Sequence, residues 1–185
     1  MPPAKVSDEE LMTALAGVFR RHGYAGATMA QFEAASGLKK ASLYHRFPDG
    51  KDQMAAAVAD WIATRMEREV FGDLKGASPV ADARKVASGL DRFYSGGQVP
   101  CLLDAMSLGD MEAGVNEAVA AAYERAIAGL AMIARSAGAS ARESRRRAEV
   151  ALERIEGALV VSRASGDQRS FKRMIRELPE ILTNP

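Results

Sequence analysis

A single cysteine, Cys101, stands among 185 residues, which excludes an internal disulfide framework and any zinc site built from several cysteines. Histidine is almost as scarce. His22 and His45 are isolated from each other in sequence, so no metal-ligating set is expected and no cofactor is implied. An excess of one charge is missing too: 25 Lys+Arg stand against 24 Asp+Glu, and any nucleic-acid affinity must come from locally clustered cations. No stretch approaches the roughly 20 apolar residues of a membrane span, and Met1-Pro2-Pro3-Ala4-Lys5 offers no apolar signal core. A soluble cytoplasmic protein without a membrane partner is expected. No nucleophile–base pair or Gly-rich phosphate loop appears, so no catalytic residues are assigned and a helical-bundle enzyme ranks far below a binding protein.

Strand signals are also nearly absent, whereas large apolar residues recur at three- and four-residue spacing in Ala-rich segments. The spacing predicts an all-α chain of about nine helices. Ser7 and Glu10 form a capping-box pattern ahead of Leu11, Leu15, Val18 and Phe19, with Gly23 as the stop. Thr28 and Gln31 repeat the pattern ahead of Met29, Phe32 and Ala35, and Gly37 ends that helix. Lys39 to Arg46 reads as a third, very short helix with Leu43 inward, followed by the turn Phe47-Pro48-Asp49-Gly50. Longer helices follow, with a break near Gly72 to Pro79 and another over 95–100. A short buried helix should carry Leu102, Leu103, Met106 and Leu108, and a long one Val115 to Leu130. Ser140 and Glu143 make a third capping-box pattern that opens the next. Asp167 is placed to cap the last, which Pro179 is expected to kink or end.

Two short helices joined by a Gly-containing turn, the second rich in small and basic residues, suit entry into a major groove about 12 Å wide. The outer face of the second offers Lys39, Lys40, Ala41, Ser42, Tyr44 and His45, while Leu43 and Phe47 can anchor it. From Lys39 to Lys51 four Lys/Arg stand against one acid, Asp49. This is the cation cluster that the overall charge conceals.

At Phe19, Gly23, Thr28, Gly37, Leu38, Leu43, Tyr44, His45, Phe47 and Lys51 the chain resembles the TetR family of repressors, over roughly residues 10 to 55. Lys39 stands where the family often begins its recognition helix with serine, which removes a side-chain N-cap. The resemblance implies a three-helix helix-turn-helix DNA-binding domain over 1–50 and a larger helical effector-binding and dimerisation domain over 51–185. It implies a repressor released from palindromic double-stranded operator DNA by a small-molecule effector. Thr28, Tyr44 and Lys51 would bind phosphates, Lys40, Ala41, Ser42 and His45 would face bases, and Lys39 would also contact the DNA.

The same resemblance implies an effector pocket, for which Trp61, Met66, Phe93, Tyr94, Leu102, Met106 and Tyr123 are the candidates. It also implies a homodimer through the last two helices, with Leu152, Ile155, Leu159, Phe171, Ile175 and Leu178 as the apolar faces. The alternative function is a redox or electrophile sensor acting through Cys101. With no Lys, Arg or His beside it in sequence, Cys101 reads as inert core. The basic run Arg142, Arg145, Arg146 and Arg147 reads as a solvated helix face among Glu143 and Glu149.

Overall fold

Nine α-helices and no strand occupy the described residues of the computed structural model, which are 6–72, 74, 76 and 78–184. Residues 1–5, read above for a signal core, lie outside them, as do 73, 75 and 77 in the expected break. The helices are α1 (Asp8–Gly26), α2 (Met29–Ser36), α3 (Lys40–Arg46), α4 (Lys51–Met66), α5 (Pro79–Phe93), α6 (Leu102–Met106), α7 (Ala113–Ser136), α8 (Ala141–Ser165) and α9 (Arg169–Thr183). A π-helical turn (Glu67–Phe71) extends α4, and a 3-10 turn (Ser95–Gly97) follows α5. No described helix is long and apolar enough to cross a membrane.

By packing, the chain divides into two units. The first runs to Ile62 and takes in Leu102–Ala122; the second holds Ala63–Cys101 and the residues from Tyr123 onward. Where the sequence suggests a division at residue 50, packing carries the first unit to Ile62 in α4 and adds α6 and the first part of α7.

In the first unit α1 packs on α2 and α6. Both capping boxes predicted in this unit form. Ser7 accepts from the Glu10 backbone N–H at 3.2 Å and Thr28 from that of Gln31 at 3.4 Å, while the Glu10 and Gln31 side chains reach back to the cap N–H groups. Leu11, Leu15, Phe19, Phe32 and Leu43 are buried, with the Phe19 and Phe32 rings 5.1 Å apart. Gly23 takes φ +66, yet the chain resumes helical geometry to Gly26, so α1 is broken at Gly23 rather than stopped there. Leu108 lies beyond the end of α6 and is 61% exposed, contrary to the expectation that it is core.

In the second unit α9 packs on α5 and α8. Phe171, Met174, Leu178 and Leu182 form its buried stripe, and Lys172, Arg173, Arg176 and Glu180 face solvent. Pro179 neither ends the helix nor prevents a last turn, because its missing N–H removes one hydrogen bond while Leu182, fully buried, anchors the turn beyond it. Asp167 stands one residue outside the cap position and accepts from the Arg169 backbone N–H at 2.9 Å. Ser140 caps α8. Glu143 does not complete a box there, because its carboxylate pairs with Arg146 and Arg147, each at 2.8 Å. Those two guanidiniums hold the Glu143 carboxyl down at about 2, the Arg146 bonds first. Arg145 grips Glu124 and Glu149, so the basic run is a face of internal ion pairs.

Ile155, Leu159, Phe171 and Leu178, expected to meet a second copy, are instead buried within the unit. The periodicity that marked them is satisfied by α8 packing on α9. Leu152 and Ile175 stay half-buried, and the exposed apolar positions of α8 are Val160 and Val161.

Gly97 is one place where this packing admits no side chain. Its φ is +89, and a Cβ there would lie 2.8 Å from the Phe171 Cβ. Gly97→Ala should lower the unfolding free energy by about 2 kcal/mol or more through overpacking and strain. Gly17, within α1, has nothing within 4 Å of a built Cβ. Gly17→Ala should raise stability by about 0.5–1 kcal/mol. Urea unfolding measures both, and changes of the same sign would contradict the packing described.

Candidate nucleic-acid interface

The turn between α2 and α3 is Gly37-Leu38-Lys39. Gly37 ends α2 at φ +70, its N–H bonded to the Glu33 carbonyl, a left-handed geometry that glycine adopts without a Cβ penalty. Ser36 steadies the turn from inside: its hydroxyl donates to the Phe32 carbonyl at 2.7 Å and accepts from the Leu38 N–H at 3.2 Å. Lys39 then occupies the N-cap of α3 with no side-chain cap bond, as expected from the missing serine.

Leu43 is the sole fully buried residue of the seven in α3. Lys40, Ala41, Ser42, Tyr44 and His45 are all exposed, as are Lys39 before them and Thr28 at the start of α2. Phe47 is half-buried, a lesser anchor than expected. Tyr44, 40% exposed, does not pack in the core. One edge of its ring lies against Gly50, where φ is +65 and a Cβ would sit 3.2 Å from the ring. The Lys40 ammonium stands 5.8 Å from the ring centroid. The turn predicted at Phe47-Pro48-Asp49-Gly50 forms, with the Gly50 N–H bonded to the Phe47 carbonyl at 2.9 Å.

Lys51 is placed differently from the free phosphate-side cation expected. It is half-buried, its ammonium donates to the Tyr24 carbonyl at 3.1 Å, and it stands 4.3 Å from the Tyr24 ring centroid. Tyr24 in turn donates to Asp52 at 2.6 Å. Burial, with that bond second, pushes the phenol up to about 12, so it remains a donor across the physiological range. Tyr24 and Asp52 carry no sequence signal, and Arg46, one of the four cations of the cluster, is turned to Asp8 instead. Their pairings join positions far apart in the chain, and no local pattern signals them.

The seven effector candidates do not fall in one packing unit. Trp61, Leu102 and Met106 belong to the first, where the Trp61 indole N–H donates to Glu9 at 3.1 Å and Leu102 and Met106 are buried. Met66, Phe93, Tyr94 and Tyr123 belong to the second. There Tyr94 is buried between Phe93 and Phe171, with centroids 5.2 and 5.9 Å away. Its hydroxyl shares a hydrogen bond with Cys101. Burial first, then the nearby Cys101, Glu156 and Tyr123, raises its ionisation well above the ordinary phenol value. Cys101 itself is only 4% exposed.

A short helix held by one core side chain, presenting cations, a hydroxyl and a phenol beside a capped preceding helix, defines a helix-turn-helix protein. The comparisons place it further. Residues 11–58 match the family described as bacterial regulatory proteins, tetR family, and residues 80–177 match that of the transcriptional regulator LmrA/YxaF-like C-terminal domain. The chain belongs to the TetR family and stands among transcriptional regulators rather than enzymes. It is 28% identical over 76 residues to the HTH-type transcriptional regulator LmrA of Bacillus subtilis, a match spanning 41% of this chain and 40% of that protein. In fold it is similar to a TetR transcriptional regulator from Legionella pneumophila, at TM-score 0.84 and 17% identity over 98% of this chain and 100% of the other. A regulatory protein TetR from Rhodobacter sphaeroides is similar at TM-score 0.80 and 18% identity, over 96% and 99%.

Proposed function

We propose that this chain is a homodimeric transcriptional repressor that reads a palindromic operator with α3 and is released by a small-molecule effector. The observation that carries this reading is the division of α3 into one buried side chain, Leu43, and five exposed ones, Lys40, Ala41, Ser42, Tyr44 and His45. Lys40 and Ser42 can donate to base edges, Ala41 can touch a thymine methyl, and His45 stands on the same face. Thr28, at the free N–H groups opening α2, Lys39 and Tyr44 take the phosphate side. Lys51 joins them from its seat on Tyr24, since an ammonium has three donors and the Tyr24 carbonyl takes one.

Two copies are required to read two half-sites about 34 Å apart. The surface that supports dimerisation runs along α8 at the exposed Gly157, Val160 and Val161 and onto α9, rather than at the buried Ile155, Leu159, Phe171 and Leu178 that the resemblance implies. A groove of about 260 Å³ runs there between Gly157 and Val161 of α8 and Ser170 and Glu177 of α9, room for an apolar side chain of a second copy. For the effector, Tyr94 and Tyr123 are the strongest of the seven candidates, because a buried hydroxyl beside Cys101 and near Glu156 is a polar handle in an apolar surround. Release requires only that the effector favour one of two states of the protein, by about 1–3 kcal/mol.

Tyr44→Ala should weaken binding to a duplex selected by the wild-type protein by about tenfold in a gel shift, the order of one lost charge-assisted contact. Unchanged affinity would remove Tyr44 from the interface. Val161→Arg should turn the dimer into a monomer in sedimentation, whereas a dimer that tolerates this cation would place the contact elsewhere.

A further inference from the structure

We infer that Arg46 is a positioning residue that fixes the rotation of α3, and so selects which bases its exposed side chains meet, without itself contacting DNA. This rests on the DNA-binding reading of α3.

A seven-residue helix is too short to be stable by itself, and α3 has no side-chain cap at Lys39 to help it. It must be held from outside. Leu43 holds it to the core and sets which face turns inward, with Phe47 half-buried just beyond, but neither makes a directional contact that sets the finer rotation of the helix about its own axis. Arg46 supplies the missing direction. Its Nη1 donates to the Asp8 carboxylate at 2.9 Å and its Nη2 to the Val6 carbonyl at 3.2 Å. A planar guanidinium satisfying two acceptors on two residues has its orientation set by both.

What it grips is itself fixed. The start of α1 is locked by the Ser7–Glu10 capping box, and Glu9 accepts the Trp61 indole N–H from α4 at 3.1 Å. Between this start and the end of α3 lies a groove of about 860 Å³ lined by Leu11, Met12, His45, Arg46 and Phe47. Packing leaves this gap open, and the two Arg46 hydrogen bonds span it. Two of its five N–H donors are taken, one by the Asp8 carboxylate and one by the Val6 carbonyl, and both draw the guanidinium toward the start of α1. His45 is the adjacent residue and is exposed, so a small rotation of the helix moves its imidazole across a base edge.

The test compares wild type, Arg46→Lys, Arg46→Ala and Asp8→Ala on two duplexes over a salt series. One duplex is selected by the wild type from a random pool, and the other is scrambled at the same length. Lysine keeps the charge but lacks the fork. All three variants should therefore lose about fivefold on the selected duplex, the order of an exposed ion pair, and nothing on the scrambled one. The slope of log K against log salt should stay at the wild-type value. Binding to the scrambled duplex at wild-type strength also shows that each variant is folded. The inference is overturned if Arg46→Lys discriminates as well as wild type, or if Asp8→Ala does. It is equally overturned if Arg46→Ala weakens both duplexes alike and lowers the slope by about 1, the mark of a phosphate contact. Failure of the wild type to bind any duplex would instead remove the DNA-binding reading itself.

Discussion

Burial of Leu43 is the constraint on which the presentation of α3 depends. A helix that enters a groove has to show most of its surface, so it must be held by very few of its own side chains. In α3 one leucine goes fully into the core, and five residues that would otherwise compete for packing stay outside. That economy is possible because the flanking turns are rigid. Gly37 at φ +70 and Gly50 at φ +65 let the chain reverse where a Cβ would strain it, and Gly50 also makes room for the Tyr44 ring.

The second unit is built on close approach rather than exposure. Gly97 meets Phe171, and at Gly129 a Cβ would lie 2.7 Å from the Phe71 ring, so two glycines bring backbone directly against aromatic faces. Four arginines of this unit are tied up in pairs: Arg125 with Glu67, Arg145 with Glu124 and Glu149, Arg146 and Arg147 with Glu143. At α3, where the shape suits a duplex, Lys39 and Lys40 stand exposed.

The helices and the helix-turn-helix were legible because their signals are local. Capping boxes at Ser7 and Thr28, the stop at Gly37 and the stripe through Leu11, Leu15 and Phe19 all act within one or two helical turns. What escaped is long-range. Arg46 meets Asp8 across 38 residues and Lys51 meets Tyr24 across 27, and no periodicity encodes either pairing. The apolar face of α8 and α9 was legible as a face but not as to its partner, because a helix pattern reads the same whether the groove it fills belongs to its own chain or to a second copy. That is why Ile155 and Phe171 were assigned outward and are found buried. Leu108 erred for a simpler reason, since α6 ends before reaching it.

The central claim is that two copies of α3 read one duplex. Selection of bound duplexes from a random pool, followed by determination of how many chains each selected duplex holds, tests it most directly. An inverted repeat with half-sites about one helical turn or a multiple of it apart, holding an even number of chains, is the expected result. No enrichment over the starting pool, or an unrepeated site holding one chain, would contradict it.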